Sequence, residues 1–351
     1  MRKLLFLIVC LPLFLLTSCD VHEWPETPEL VKFHLRLKYE TDITNWDYAY
    51  DGNSIIEQGL GKIYDNQQTS GKIRYIIRAY PILESKSAPQ NFTQEFSYTR
   101  DISDSYDHEV TLELPDGSYD IMVWSDLIES GGDNYFYNVD NFSEIELQGD
   151  HKGNTNYRDA FRGVGNITLD ADIVETQPDT LDIAMQRPLA KFEFIATDVV
   201  EFIAKEATRI ELSSGITSSN DDISTRVINI EDYRIVFYYV GYMPDTYNMH
   251  TDKPVDSVMN VMFESSLKSL SETQASMGFD YVFVNGVESV VMVQIGLYGK
   301  DETQLSLTEP IKVPLKRSRH TVMKGSFLIQ EASGGIAINP DFDGEHNVVI
   351  P

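Results

Sequence analysis

Cysteine and basic residues are scarce in this sequence. Cys10 and Cys19 are the two cysteines in 351 residues, and 28 Lys and Arg stand against 55 Asp and Glu, a formal net charge of −27. Nucleic-acid phosphates and anionic lipid headgroups attract clustered Lys and Arg, so this balance argues against both as partners. If the N-terminal segment described below is cleaved, Cys19 is the last cysteine, which excludes an intramolecular disulfide and a Cys-based metal site.

Familiar catalytic motifs are absent as well. The sequence contains no HExxH, no GxSxG and no P-loop, and its seven His show no metal-ligand spacing. We therefore expect no enzyme activity, no cofactor and no small-molecule substrate. Asp and Glu are abundant enough to keep one rival hypothesis open, a hydrolase that uses a glycosidase-like pair of carboxylates.

The N-terminus is typical of an exported lipoprotein. Arg2 and Lys3 precede an apolar run that is too short to span a bilayer comfortably, which favours a cleaved signal peptide over residues 1–18. Residues 16–19, LTSC, resemble a bacterial lipobox. That resemblance implies a diacylglycerol on the Cys19 thiol, cleavage before Cys19 and acylation, for example by palmitate, of the new amine; several acyl chains make a stable anchor.

Residues 19–29 form an acidic stretch with two prolines, which predicts an extended tether. Its plain interpretation is a spacer. Acidic residues directly after a lipidated Cys also resemble surface-export signals of Bacteroidetes lipoproteins, which leaves a sorting signal as the alternative. With that signal, we expect a lipid anchor in the outer membrane and a surface-exposed body.

Period-2 alternation of apolar and polar residues dominates the rest of the chain. Residues 31–39, VKFHLRLKY, alternate without an error and predict a half-buried strand. Similar short stretches recur, separated by Gly, Pro, Asn and Asp, which is typical of β-sandwiches. Alternation on both sides of Pro115-Asp116-Gly117 predicts a hairpin over residues 108–125.

We predict an all-β fold with two β-sandwich domains, residues 30–185 and 186–351, because a second series of strand-like stretches begins near residue 186. Helical signals are few and short. One candidate is a helix capped by Asp198 that continues to Ala207, since its apolar residues follow helical spacing. A strand is predicted over Arg209 to Leu212, directly after it.

One basic cluster stands out against the acidic background, and its members are Lys312, Lys316, Arg317, Arg319 and His320. The preferred interpretation is a solvated turn between two strands. The alternative is a patch that docks on the acidic N-terminal half or on an acidic partner.

Four stretches together resemble Bacteroidetes fimbrillin-like and fimbrial-anchor lipoproteins. The likeness includes the order and spacing of the stretches, the lipobox and the chain length. The stretches are LPDGSY followed by VWSD (residues 114–126), YRDAFRG (157–163), RPLAKF (187–192) and the final strands with a basic turn before GSFL (316–328 and 336–349).

This resemblance implies two transthyretin-like β-sandwich domains and assembly by β-strand exchange, in which a groove in one subunit receives a strand from the next. Other fimbrial subunits would be the partners. Stalk subunits of such systems lose their first strand to a protease that cuts after a basic residue, whereas an anchor keeps both lipid and strand. Retention of residues 31–39 would make this chain an anchor; cleavage after Lys62, in a predicted loop, would make it a tip or stalk subunit.

A surface glycan-binding lipoprotein is the alternative from another functional class. Aromatic side chains of β-sandwiches can stack on sugars, and Trp24, Trp46 and Trp124 are available. Trp124 lies one position out of phase with the apolar face at Tyr119, Ile121 and Val123, so the glycan hypothesis requires it on an exposed face of the strand. A sandwich can bury both faces, and packing in a core or an interface is the preferred interpretation of Trp124.

Overall fold

The structure is a computed structural model that describes residues 29–82, 94–102, 105–129, 135–172, 178–214 and 228–330. These residues form 22 strands, one α-helix and two short 3-10 turns, so the predicted all-β fold class is confirmed. Cys19 and the final predicted strands after residue 330 lie outside the described residues. No helix of the described ranges has the length and apolar character needed to cross a bilayer.

Eleven strands precede residue 186. They are β1 (Leu30–Tyr39), β2 (Asp42–Tyr50), β3 (Ile55–Asp65), β4 (Lys72–Pro81), β5 (Gln94–Asp101), β6 (His108–Pro115), β7 (Gly117–Ile128), β8 (Tyr137–Asn138), β9 (Ile145–Leu147), β10 (Ala160–Leu169) and β11 (Asp179–Met185).

Eleven more strands follow it, together with the helix α1 (Val199–Ser214). The strands are β12 (Leu189–Ala196), β13 (Arg234–Tyr239), β14 (Tyr242–Asn248), β15 (Lys253–Met259), β16 (Met262–Ser266), β17 (Lys268–Ser269), β18 (Ala275–Phe283), β19 (Glu288–Tyr298), β20 (Gln304–Leu307), β21 (Ile311–Lys316) and β22 (Arg319–Gly325).

Two pairs of sheets enclose two cores. The three-stranded sheet β11-β1-β6 and the four-stranded sheet β10-β7-β4-β5 share one core, which includes Phe33, Leu35, Ile77 and Val123. The six-stranded sheet β17-β18-β12-β22-β2-β3 and the sheet β16-β13-β19-β20, with β21 also on β19, share the other. Apolar side chains on the inward faces of both sheets stabilise each pair by their removal from water.

Strand pairing crosses residue 186 in two places. β2 and β3 belong to the six-stranded sheet because β2 pairs in parallel with β22. β9 pairs with β14 in the small sheet β15-β14-β9-β8. The division into residues 30–185 and 186–351 stays a prediction, and these pairings show that each half contributes strands to a sheet of the other.

The predicted hairpin over residues 108–125 is wrong in its pairing and right in its alternation. β6 pairs with β1, whereas β7 pairs with β4 and β10 in the facing sheet. Leu112, Leu114, Tyr119 and Ile121 nevertheless all enter the same core. The turn therefore carries the chain from one sheet to the other, and Gly117 adopts a φ of 145° there, a conformation that favours glycine.

The predicted helix begins where expected and is longer than expected. α1 runs to Ser214, so the strand predicted over Arg209 to Leu212 is wrong. The Asp198 carboxylate accepts hydrogen bonds from the backbone N–H groups of Phe327, Leu328 and Ile329 at 3.3, 2.9 and 3.0 Å. Asp198 therefore fastens the segment after β22 to the start of the helix.

Candidate functional site

The candidate site is β1 with the slot that holds it. β1 is the central strand of its sheet and pairs in parallel with β11 and antiparallel with β6. Phe33, Leu35 and Leu37 are fully buried in the core, as the alternation predicts. Without β1, this sheet would have two free strand edges, on β11 and β6, and three empty side-chain positions in the core. A complementary strand can fill a gap of that geometry.

The outward face of β1 carries ion pairs to both neighbouring strands. Arg36 makes two hydrogen bonds of 2.7 Å to the Asp182 carboxylate, and Lys32 lies 3.4 Å from Glu113. These side chains are exposed, and such pairs contribute about 0–1 kcal/mol each. Each buried apolar side chain contributes about 1.5–3 kcal/mol, so the inward face provides most of the binding energy of β1.

Arg187 binds the backbone at the junction between β1 and β2. Its guanidinium donates to the carbonyl oxygens of Glu40 and Thr41 at 2.9 Å and of Asp42 at 3.2 Å. Its Nε lies 2.9 Å from both carboxylate oxygens of Asp159. Both side chains are 1% exposed. The arginine of the RPLAK stretch and the aspartate of the RDAF stretch together fix the point where the first strand passes to the other sandwich.

The electrostatics of this pair are those of a buried site. Burial raises the pKa of Asp159, while the Arg187 guanidinium and the Asn66 amide act in the opposite direction. Asn66 donates to Asp159 at 3.1 Å and to the Tyr281 hydroxyl at 2.8 Å. Hydrogen-bond donors therefore surround the Asp159 carboxylate, and they stabilise the negative charge that burial disfavours.

A second buried cluster surrounds Asp280. The carboxylate accepts from Arg158 Nη1 at 3.0 Å, from the Tyr239 hydroxyl at 2.7 Å and from the Tyr281 backbone N–H at 2.8 Å, and His151 Nε2 lies 2.7 Å from it. Burial alone would raise the pKa of Asp280, but Arg158 and His151 outweigh that effect and lower it. The arginine of the RDAF stretch is thus a structural partner of β18.

Asp126 of the VWSD stretch and Lys191 of the RPLAK stretch are buried as well. Arg74 forms a bidentate ion pair with Asp126 of the VWSD stretch. Lys191 donates to the Asn156 side chain at 2.9 Å and lies 4.2 Å from the centre of the Phe279 ring, and burial lowers its pKa to about 8. The motifs that carry the fimbrial resemblance therefore supply buried polar contacts between separate strands and turns. Sequence reasoning missed this role, and its only signal was the presence of charged residues within apolar stretches.

Trp124 is fully buried, as its preferred interpretation predicts, so it lacks the exposure that the glycan hypothesis requires. It packs against Tyr137 and Tyr247, with ring centroids 5.4 and 6.2 Å apart, in a third core between the four-stranded sheet and β14. Trp46 is half-buried and donates to Glu57 at 2.8 Å, and Trp24 lies outside the described residues. Trp124 therefore offers no open ring for a sugar.

Lys62 was predicted to lie in a loop, and this prediction is wrong. It lies in β3, which pairs with β2 and forms one edge of the six-stranded sheet. Cleavage after Lys62 would separate β1, β2 and most of β3 from the remainder of the chain.

The basic cluster lies at the turn between β21 and β22, as its preferred interpretation predicted. Lys316 lies 2.5 Å from Glu288, and Arg317 lies 2.8 Å from Asp252. His320 is buried, with Nδ1 2.7 Å from the Tyr64 hydroxyl. These three residues have partners within the chain, which weakens the interpretation as one open docking patch.

His320 makes stability depend on pH. Burial lowers the pKa of His320, so the folded state binds fewer protons than the unfolded state, whose His titrates at about 6.5. The free energy of unfolding is expected to fall as the pH drops below that value. Urea unfolding at pH 7.5 and 5.5 measures it. The decrease should be smaller in His320→Gln and not abolished, because burial also lowers the pKa of His108 and His250. An identical decrease in the variant would contradict the assignment.

The described ranges contain no group of three or more His, Cys, Asp or Glu side chains placed to hold a metal ion. The site around β1 consists of backbone hydrogen bonds and apolar contacts between strands.

The chain belongs to the family described as "Family of unknown function (DUF6562)", whose sequence profile matches residues 28–351. No match was found among curated proteins.

Several solved structures are similar in fold at low identity. A proposed polysaccharide-binding protein (DUF1812) from Bacteroides thetaiotaomicron is 13% identical, with 79% of this chain and 80% of that chain covered and a TM-score of 0.39. The fimbrial anchor protein Mfa2 from Porphyromonas gingivalis is 10% identical, with 79% and 82% covered and a TM-score of 0.38. A proposed adhesin from Bacteroides ovatus is 10% identical, with 89% and 94% covered and a TM-score of 0.39.

Proposed function

We propose that this protein is a cell-envelope lipoprotein that acts as a fimbrial anchor or accessory subunit, at the tip or in the stalk, and assembles by β-strand exchange. In this proposal Cys19 carries the lipid in the outer membrane, and the folded body is exposed at the surface as part of a fimbrium. The partner is another fimbrial subunit that supplies or receives a strand.

The position of β1 carries the proposal. Leu30, the first residue of β1, follows Cys19 by only eleven positions, so a lipid on Cys19 would be tied directly to a central strand of the fold. Because β1 lies near the N-terminal end of the fold, its removal would leave the rest of the chain covalently intact. β11 and β6, which form the two sides of the slot, come from later parts of the sequence and would stay in place. The same slot therefore suits either retention or replacement of the strand.

Strand exchange is tested by complementation. Residues 41–351 are produced without β1 and mixed with a fluorescein-labelled peptide of residues 29–40. We expect the peptide to bind and to raise the thermal midpoint of the body, because it restores two strand edges and three buried side chains. A matched peptide with Leu35→Asp should not bind, since it would bury an unpaired carboxylate. Equal binding of both peptides would contradict the proposal that the slot accepts a strand through its apolar face.

The anchor role is tested on the native protein. Mass spectrometry of the surface-exposed species should find an acylated Cys19 followed by an intact β1. A species that begins after Lys62 and lacks acyl groups would contradict the anchor role and favour a tip or stalk subunit.

A further inference from the structure

A large cleft lies away from β1, beside the small sheet. Its volume is about 1510 Å³, and its walls are residues 147–155 on one side and residues 258–264, with Met243, on the other. The second wall ends in an exposed apolar surface that we call the apolar rim, formed by Tyr242, Val258, Met259 and Met262. Met259 is 50% exposed and Met262 57%. Large apolar side chains clustered beside a cleft mark an interaction surface more often than scattered ones do.

Two strand edges meet at this rim. β15 ends at Met259 and β16 begins at Met262, after a connection in which Asn260 has a φ of 59°. Within the described ranges β15 pairs only with β14, and β16 pairs only with β13. Each strand therefore presents one row of backbone N–H and C=O groups that an added strand could pair with.

The cleft also has an excess of negative charge. Glu129, Asp150 and Asp245 line it, and among the described residues none of them forms an ion pair with Lys, Arg or His. Among the described lining residues Lys152 is the cation that forms no ion pair, since Arg158 lies 3.0 Å from the Asp280 carboxylate. Burial, with a smaller effect of like charge from Asp256, raises the pKa of Asp245. A cationic ligand would relieve this repulsion.

We propose that the cleft and the apolar rim bind an extended segment of a partner protein in which apolar side chains alternate with Lys or Arg. Its backbone pairs with the edge of β15 or β16, its apolar side chains contact the rim, and its cations face the unpaired carboxylates. Methionine suits such a surface because its flexible side chain adapts to different apolar partners. This inference does not depend on strand exchange at β1.

The test uses the purified protein and a fluorescein-labelled octapeptide of four Lys-Val repeats, measured by fluorescence anisotropy at physiological salt. A Glu-Val octapeptide is the charge control. We expect the Lys-Val probe to bind and the Glu-Val probe not to bind. The variant Met259→Ser/Met262→Ser should weaken binding about tenfold or more, because two apolar contacts are lost. Asp150→Asn/Asp245→Asn should weaken the Lys-Val probe and not a Thr-Val probe.

Leu212→Ser is the matched control, since Leu212 is 79% exposed on α1, outside the cleft, and should leave binding unchanged. Thermal midpoints identify any variant that has lost its fold. Equal binding of the two charged probes, or unchanged affinity in the methionine variant, would overturn the proposal. Self-association that Met262→Ser abolishes would assign the rim to a second copy instead, and glycan binding lost in the same variants without peptide binding would assign it to a sugar; both results would overturn the proposal.

Discussion

Replacement of Arg187 by alanine is expected to lower the free energy of unfolding by about 3–5 kcal/mol. Arg187 and Asp159 are both almost fully buried, so the variant leaves the Asp159 carboxylate without its cation. It also removes the guanidinium donor from the carbonyls of residues 40–42, of which Thr41 keeps the Asn66 backbone N–H. Urea unfolding of wild type and variant at pH 7.5, followed by circular dichroism, measures the difference.

Two controls separate this result from a general effect of removing an arginine. Arg36→Ala removes an exposed ion pair on β1 and should cost about 1 kcal/mol or less. In Arg187→Ala the pKa of Asp159, already raised by burial, should rise further, so the folded variant takes up a proton that the unfolded chain does not. The deficit of the variant should therefore shrink as the pH falls. A loss no larger than that of Arg36→Ala would contradict a structural role of the pair.

Trp124→Ala is expected to cost about 3–5 kcal/mol, because it empties a fully buried position in the third core. The indole also donates to Asp126 at 3.3 Å, so the variant removes one contact of the Arg74–Asp126 pair. Thermal and urea unfolding measure the loss. Trp46→Ala is the matched control on a half-buried tryptophan, and its loss should be clearly smaller. Unchanged stability of Trp124→Ala would contradict the packing described here.

Local pattern and tertiary contact contributed differently to β1 and to β7. The alternation in residues 31–39 predicted the inward face of β1 correctly, because side chains of a strand alternate whatever its partners are. The same alternation predicted a hairpin between β6 and β7 that does not form, since period 2 says which side chains face a core and nothing about which strand lies alongside. The alternation also left open whether the other face of β7, which carries Trp124, is exposed; a third core covers that face.

The motif stretches show the same limit for charged residues. An Arg or Asp in an apolar stretch indicates only that the charge needs a partner, and the partners here are distant in sequence: Asp280 lies 122 positions after Arg158. Asp198 was expected to serve the helix beside it, but its carboxylate binds the backbone of residues 327–329. Long-range hydrogen bonds of this kind leave no periodic signal.

The sequence by itself determined the all-β class and the inward face of the first strand, because these depend on short-range alternation of apolar and polar residues. Only the tertiary structure decided that β1 is a central strand, that β2 and β3 join a sheet built mostly from the second half, and that Arg187 fastens the passage between them. Those facts depend on contacts between residues 71 to 275 positions apart, and the energy of such contacts depends on burial against partners that no local pattern identifies.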